Sequence, residues 1–470
     1  MKYAALLLVL VGFSAIASAQ PIGSGSDGSD GSAAIESSGS AGSAAAVADA
    51  TTAPSSSTPT RPEAQVAALS PTSGYKDGFI LAAGDGSSKL YIGGIAQFDG
   101  RVFVDDNPDP ASDEFYFQTL RIDLRGTLFD HYDFRFLPDF AGGKLVVQDA
   151  YIDIRYSDLV KLRIGKTKVP FGIERLQNET STTFAQRGLP NNLVPNRDLG
   201  LELFGDLDLA TAVISYQLGI FNGVADGGSG DGDLTNGKEG AARLFIRPLA
   251  HGPRWLQNLG FGGATTFGDK DANIGQPDTP QWKTQAQTTI FQFKVGPTDT
   301  LADTVVADGY AWRATAQGYW YAGPLGALAE YVRTSEAFEL AEHHTRVVAD
   351  SWQAVGQWVI TGDDATYNSV TPRHPFDPHT GDLGAFDVVA RVGELRLVDD
   401  AAFAAKIADP TKSIEKAWSA GAGLDWFANK AFRAVVDLER TWFTLGAKTG
   451  TATSDRPTET SIIARAQLAF

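Results

Sequence analysis

From residue 90 onward the chain alternates apolar and polar residues with a period of two. Leu90, Ile92, Gly94, Ala96, Phe98, Gly100, Val102 and Val104 fall on one parity, and Gln97, Asp99 and Arg101 on the other. Leu120, Ile122, Leu124, Gly126 and Leu128 alternate in the same way with Thr119, Arg121, Asp123, Arg125 and Thr127. Tyr132, Phe134 and Phe136 alternate with Asp133 and Arg135, and Ala150, Ile152, Ile154 and Tyr156 with Asp149, Tyr151, Asp153 and Arg155. Successive side chains of a strand point to opposite faces, so each run is a strand with one apolar face. Further segments start near Lys161, Leu199, Thr211, Ala241, Leu259, Thr288, Tyr310, Ala327, Val347, Ala385, Ala417, Phe432 and Ser461, about 17 in all.

Such a chain folds as a soluble β protein or as a membrane barrel. The segments exceed the ~5–6 residues of an average strand and suit the ~9–11 of a tilted transmembrane strand. Short turns (Asp130-His131) alternate with long connections (Asp226–Glu239, Thr361–Leu383). Short turns at one rim and long loops at the other are the outer-membrane arrangement. Trp312 and Trp320 share a face eight residues apart, as do Trp418 and Trp426. Eight residues of a strand tilted by ~40° span ~20 Å of membrane normal, near the ~25 Å apolar band between two aromatic girdles. The last ten residues put Ile462, Ala464, Ala466, Leu468 and Phe470 on one face. A final aromatic there is the kind of signal an outer-membrane barrel assembly machinery would read. The expected fold is an all-β, transmembrane antiparallel β-barrel of 16 strands, with 18 as the alternative, since such barrels are even-numbered.

Lys2, the apolar run Ala4–Ile16 and Ala17-Ser18-Ala19 form a Sec signal peptide, with cleavage expected after Ala19. Residues 20–74 are dominated by Ser, Gly, Ala, Pro and Thr and hold no aromatic, so a disordered linker is expected there. The barrel then covers 75–470, and the expected location is the bacterial outer membrane.

The 470 residues hold no Cys and carry a net charge of −17, which excludes thiolate chemistry and argues against nucleic-acid binding. Neither H-E-x-x-H nor G-x-S-x-G occurs. His374 and His379 flank a loop, and Asp226, Asp231 and Asp233 lie in a Gly-rich one, but neither spacing matches a metal motif. No enzyme activity, cofactor or metal is expected.

Three stretches, in order and spacing, resemble the phosphate-selective porin O and P family. They are Lys161–Glu174, with its Pro170-Phe171-Gly172-Ile173-Glu174 element; Trp352–Asp364, followed by Pro375-Phe376 and Gly384–Arg391; and Gly423–Asn429. Asp363 and Asp387 stand where the family usually has Glu, and Phe386 where it usually has Trp. The resemblance implies a homotrimeric porin of 16 strands per chain, some members of which take phosphate or polyphosphate. It also makes the strandless stretch 174–198 similar to the inward-folding third loop of porins.

Candidate site residues follow from these readings. Arg121, Arg125, Arg135, Arg155, Lys161 and Arg163 fall on the polar parity and would form a basic ladder on the pore wall. Asp123, Asp133, Asp149 and Asp153 share that parity, so a lumen of balanced charge is equally open. In the loop, Arg175, Arg187 and Arg197 are the expected constriction bases, set among Glu174, Glu179 and Asp198. Lys166 and Lys168 lie on the approach. Strict alternation from Leu162 turns both outward, whereas a break at Gly165 or Pro170 would turn them in. The expected function is a passive channel for small hydrophilic solutes, anions first among them. The alternative is a non-conducting barrel that ties envelope layers together through residues 20–74.

Overall fold

A computed structural model describes residues 72–470 apart from 77, 105–111, 233–235, 298–299 and 448–453. The expected signal peptide and the linker up to residue 71 lie outside the described residues. The first strand, β1, starts at Thr72, so the last three residues of the expected linker are strand.

The strands are β1 (Thr72–Tyr75), β2 (Phe79–Ala82), β3 (Lys89–Phe103), β4 (Glu114–Leu128), β5 (Tyr132–Asp139), β6 (Val146–Ile154), β7 (Lys161–Lys168), β8 (Arg197–Asp208), β9 (Val213–Phe221), β10 (Glu239–Arg247), β11 (Asn258–Asp271), β12 (Gln281–Lys283), β13 (Thr289–Gln292), β14 (Val306–Ala322), β15 (Leu325–Leu340), β16 (His343–Val359), β17 (Ala385–Leu397), β18 (Ile414–Phe427), β19 (Phe432–Leu445) and β20 (Glu459–Ala469). From β3 to β20, leaving out β12 and β13, each strand pairs antiparallel with the next. β20 then pairs with β3, from Ala469↔Ile95 to Ser461↔Phe103, and closes a 16-stranded barrel. Closure leaves no unpaired edge, as a spanning sheet in lipid requires. The β1–β2 hairpin takes up the free end of β3, with Phe79↔Ile92 to Ala82↔Lys89. At that seam the Gly94 amide donates to the Phe470 carbonyl (2.9 Å) and the Phe470 amide to the Gly94 carbonyl (3.0 Å). The Phe470 ring lies over Gly94, where a β-carbon would stand 2.8 Å from it.

The 16 wall strands are the number expected; of about 17 candidate segments, the one near Thr288 is not a wall strand. It is β13, half of a two-stranded hairpin with β12 that lies outside the wall sheet. The reason is visible in its side chains: Ile290, Phe291 and Phe293 are all buried, on both parities. A wall strand would present one parity to lipid.

Polarity is reversed relative to a soluble protein. Phe261, Leu218, Leu201 and Ile152 are about half exposed on the outside, while Asp99, Arg313, Glu202 and Asp387 are almost wholly covered inside. The tryptophans of both pairs lie on the outward parity. Trp320 caps its indole N–H on the Trp255 carbonyl and Trp426 on Leu383, both at 2.8 Å.

Connections 129–131, 155–160, 209–212 and 323–324 are short and share one rim. The long connection 360–384 lies on this same rim, since it joins β16 to β17. This corrects the expectation that all long loops gather at the opposite rim. Its length serves a different purpose: it turns back into the lumen, as described next.

Candidate pore constriction

The connection from β7 to β8, residues 169–196, crosses the lumen. One of its faces is apolar. Phe171, Leu189, Leu193 and Val194 are buried in a cluster with Val332 and Phe338 of β15 and Leu395 of β17, and Ile173 packs with Leu328, Val355 and Val389. At about 2 kcal/mol per buried side chain, these five contribute on the order of 10 kcal/mol as an upper bound.

The Pro-Phe-Gly-Ile-Glu element explains how the loop is held. α1 (Ile173–Leu176) is a single turn carrying Glu174. The Glu174 carboxylate accepts hydrogen bonds from the Gly188 amide (2.9 Å), Asn191 Nδ2 (2.5 Å) and Gln353 Nε2 (2.9 Å), and Arg391 lies 3.6 Å away. A β-carbon at Gly188 would stand 1.9 Å from Gln353 Oε1, so a larger residue there would displace the Gln353 side chain from Glu174. The expected constriction acid Glu174 is thus a buried clamp.

The loop's remaining backbone is tied around the wall. Gln97 of β3 donates to the Glu179 carbonyl (3.1 Å) and Gln467 of β20 to Thr180 (3.2 Å). Arg433 of β19 donates to the Thr182 and Thr183 carbonyls (2.7 and 2.9 Å), and Asp437 accepts from the Ala185 amide (2.7 Å). From one rim, the 360–384 connection inserts Tyr367, whose hydroxyl donates to the Ile173 carbonyl at 2.5 Å. Gln177 Nε2 donates to the Tyr367 carbonyl and the Ser181 hydroxyl to Asn368, each at 2.9 Å. From the other rim, the β12–β13 hairpin meets Asn192 through Lys283 (2.7 and 3.0 Å).

These ties leave open space beside β3, β4 and β20. Toward the short-turn rim is a cavity of about 810 Å³. Its lining holds seven bases, Arg121, Arg125, Arg135, Lys168, Arg197, Lys430 and Arg433, and two acids, Asp123 and Glu179. On the other side of the loop a cavity of about 460 Å³ carries Arg175, Arg187, Lys283 and Arg465 against Glu179 and Asp226. Glu179 lines both, so the loop around it separates two vestibules.

The expected constriction bases all reach this region, in different states. Arg187 lies 2.7 Å from Glu179. Arg197 lies 2.8 Å from Asp149 and 3.9 Å from Glu179. Arg175 donates to the Asn191 carbonyl (2.9 Å) and, among the described residues, has no carboxylate oxygen within 4.0 Å. Lys168 turns inward and donates to the Gln177 carbonyl (2.5 Å), again with no carboxylate within 4.0 Å among the described residues. Gly165, three residues earlier, has φ +130°, yet β7 runs through it without a register shift. Lys166 is buried and ion-paired with Asp231, away from both cavities.

The expected wall ladder divides. Arg121, Arg125 and Arg135 line the larger cavity. Arg155, Lys161 and Arg163 do not, and pair with Asp133, Asp158 and Asp153 at 3.0, 3.6 and 2.7 Å. Asn368–Pro372 and Lys430, which also line it, were not expected from the sequence. The signal for the first was present: Tyr367 and Val370 are apolar residues in a Pro- and Gly-rich connection and need cover.

Electrostatics within the loop favour charged states. Burial pushes the Glu179 carboxyl up, but Arg187, Lys168, Arg121 and Arg197 together hold it well below the usual carboxylate range. Burial, with Arg187 and Arg197 nearby, brings the Arg175 guanidinium down to about 9, so it stays charged at neutral pH.

Comparison with known proteins supports one family. A comparison with curated proteins gives no match. Among solved structures, OmpT, an outer membrane protein of Vibrio cholerae, aligns at 10% identity over 82% of this chain and 98% of its own, with a TM-score of 0.49. An anion-selective porin from Comamonas acidovorans aligns at 10% identity over 82% of this chain and 100% of its own (TM-score 0.46), and Salmonella typhi OmpF in complex with daunomycin at 12% over 85% and 100% (TM-score 0.47). The family model for phosphate-selective porin O and P matches residues 90–470, from β3 through Phe470. With that match spanning the whole closed barrel, the chain belongs to the phosphate-selective porin O and P family and is a porin of the bacterial outer membrane.

Proposed function

We propose that the barrel is a passive channel for small hydrophilic anions, with phosphate and polyphosphate as the expected permeants. The observation that carries this reading is the seven-to-two excess of bases over acids around the cavity beside the inward loop. A planar, multi-acceptor anion is matched by guanidinium forks. In that cavity the field is set by Lys168, which has no carboxylate within 4.0 Å among the described residues, and by Arg125, whose side chain is half exposed and 3.8 Å from Asp123; Arg175 adds to it from the cavity across the loop. Arg121, Arg135 and Arg197 contribute less, because Asp139, Asp123 and Asp149 offset them at 2.7, 2.9 and 2.8 Å. The net −17 of the chain does not oppose this, since exposed charges beyond ~10 Å are screened by salt.

Planar-bilayer recording tests the reading. Single-channel steps with a reversal potential favouring anions under a salt gradient are expected. Silence from folded barrel would sink it and favour the envelope-tether alternative. We also take the barrel to assemble as a homotrimer, with Phe470 read by the barrel assembly machinery. Cross-linking in native membranes that stops at a single chain would overturn the trimer.

A further inference from the structure

The outer wall carries an uneven distribution of charge that the channel does not use. On β9 the outward parity shows Ile214, Tyr216, Leu218 and Ile220, and on β20 it shows Ile462, Ala464, Ala466 and Leu468. On β15–β18 it shows bases. One lateral row of paired residues runs Arg333↔Asp350↔Arg396↔Lys416 across four neighbouring strands. Immediately beneath it runs a second row, Tyr331↔Trp352↔Glu394↔Trp418↔Trp442.

The lower row marks depth. Aromatic side chains collect where the hydrocarbon meets the headgroups. The basic row is two residues farther from the short-turn rim, about 5 Å along the membrane normal for a tilted strand. That is headgroup level in the outer leaflet, since short turns face the periplasm. Asp350 offsets part of the charge: Arg396 donates to it at 2.8 Å, Arg333 lies 3.9 Å away and Tyr331 donates at 3.3 Å. Glu394 lies 3.8 Å from Arg396. Arg396 and Arg333 nevertheless keep side chains about half exposed (50% and 41%), and Lys416 is exposed with no carboxylate within 4.0 Å among the described residues. Arg440, paired with Ala420, lies two residues below the aromatic row, with its guanidinium 5.4 Å from the Trp442 ring. Bases held beside lipid at this depth call for anionic partners there.

We propose that Arg333, Arg396 and Lys416 form a binding row for the phosphate groups of an outer-leaflet lipid, with Trp418 and Trp442 beneath it packing on the lipid's chains. The arrangement seats one face of the barrel, β15–β19, against phosphate-bearing lipid. It goes beyond the channel reading and does not depend on anion conduction.

The test compares the native barrel with an Arg333→Gln/Arg396→Gln/Lys416→Gln variant in detergent micelles doped with a labelled bisphosphorylated glycolipid. Label retained per barrel after gel filtration is read, with single-channel conductance as the control for folding. Retention is expected to fall about fivefold per base removed, at unchanged conductance. The native barrel is expected to hold the dephosphorylated glycolipid as weakly as the variant holds the phosphorylated one. Should the triple variant not fold, Lys416→Gln alone still reads one step, because Lys416 makes no ion pair among the described residues. Equal retention by native and variant barrels, or equal retention of both lipids, overturns the proposal. Displacement of the glycolipid by millimolar inorganic phosphate also overturns it, by assigning the row to a soluble anion.

Discussion

Arg187 stands 2.7 Å from Glu179 at the one acidic residue that both lumen cavities share. The pair is itself neutral, so it mutes the field where the loop narrows the pore. Glu179→Gln should unmask Arg187 while leaving the loop in place, because Gln97 holds residue 179 through its backbone carbonyl. The expected result is a several-fold rise in anion-over-cation permeability at low salt, read from reversal potentials. A move toward cations would mean that Arg187 swings out of the pore when released.

The pH dependence follows from the same contact. Burial raises the Glu179 carboxyl, but the surrounding bases outweigh it and leave the group well below its ordinary value. A depressed folded-state value means that the pair's contribution is fully present above the unfolded value of ~4.3 and is lost only as pH falls through the lower folded value. Anion selectivity should therefore stay flat from neutral pH to about 4.5. A sigmoidal gain in anion preference centred near 5 would show that Glu179 is solvated and unpaired.

The two bases without carboxylate neighbours should matter more than those already paired. Lys168→Gln with Arg175→Gln is expected to remove most of the anion preference, whereas Arg197→Gln alone removes little. Arg197 also holds Asp149 at 2.8 Å, so its loss leaves a buried acid and a cost of about 3 kcal/mol in barrel stability. Thermal unfolding and reversal potentials on the same preparations separate the two effects. If Arg197→Gln alone abolishes selectivity, the field comes from the wall at β8 rather than from the loop.

The barrel was legible because period two is repeated in every wall strand, and each repeat reports the same pair of faces. The interior was less so. β13 imitated a wall strand because an apolar run fits a lipid-facing segment and a buried hairpin alike. Only burial of both parities, at Ile290 and Phe291, tells them apart. The direction of Lys168 is set at the loop end of β7, where it meets the Gln177 carbonyl, and alternation alone does not determine that. The division of the arginine ladder depended on which carboxylate each guanidinium meets, and that is set by register. Arg163 pairs across strands with Asp153 at 2.7 Å and is spent there, whereas Arg125 meets Asp123 only at 3.8 Å.

Glu174 offers the last test, because it ties the family's Pro-Phe-Gly element to the pore's geometry. Its carboxylate takes three hydrogen bonds, from Gly188, Asn191 and Gln353, and faces Arg391 at 3.6 Å. Glu174→Ala would leave these donors unmatched and Arg391 short of a counter-charge, a cost of about 3–5 kcal/mol for breaking a buried pair. The apolar face of the loop, Phe171 through Val194, would still hold its base to β15 and β17. The segment from Gly188 to Asn191 would lose its polar ties, keep only the apolar hold at Leu189, and loosen. The barrel itself should still fold, since the wall strands pair without the loop. Expected, then, are native-like β circular dichroism, larger and noisier single-channel steps, and weaker ion selectivity. The conservative Glu174→Gln keeps an acceptor oxygen for Gly188 or Asn191 and should recover part of the native conductance. Unchanged steps in Glu174→Ala would show that the apolar face alone fixes the loop and that the carboxylate clamp is dispensable.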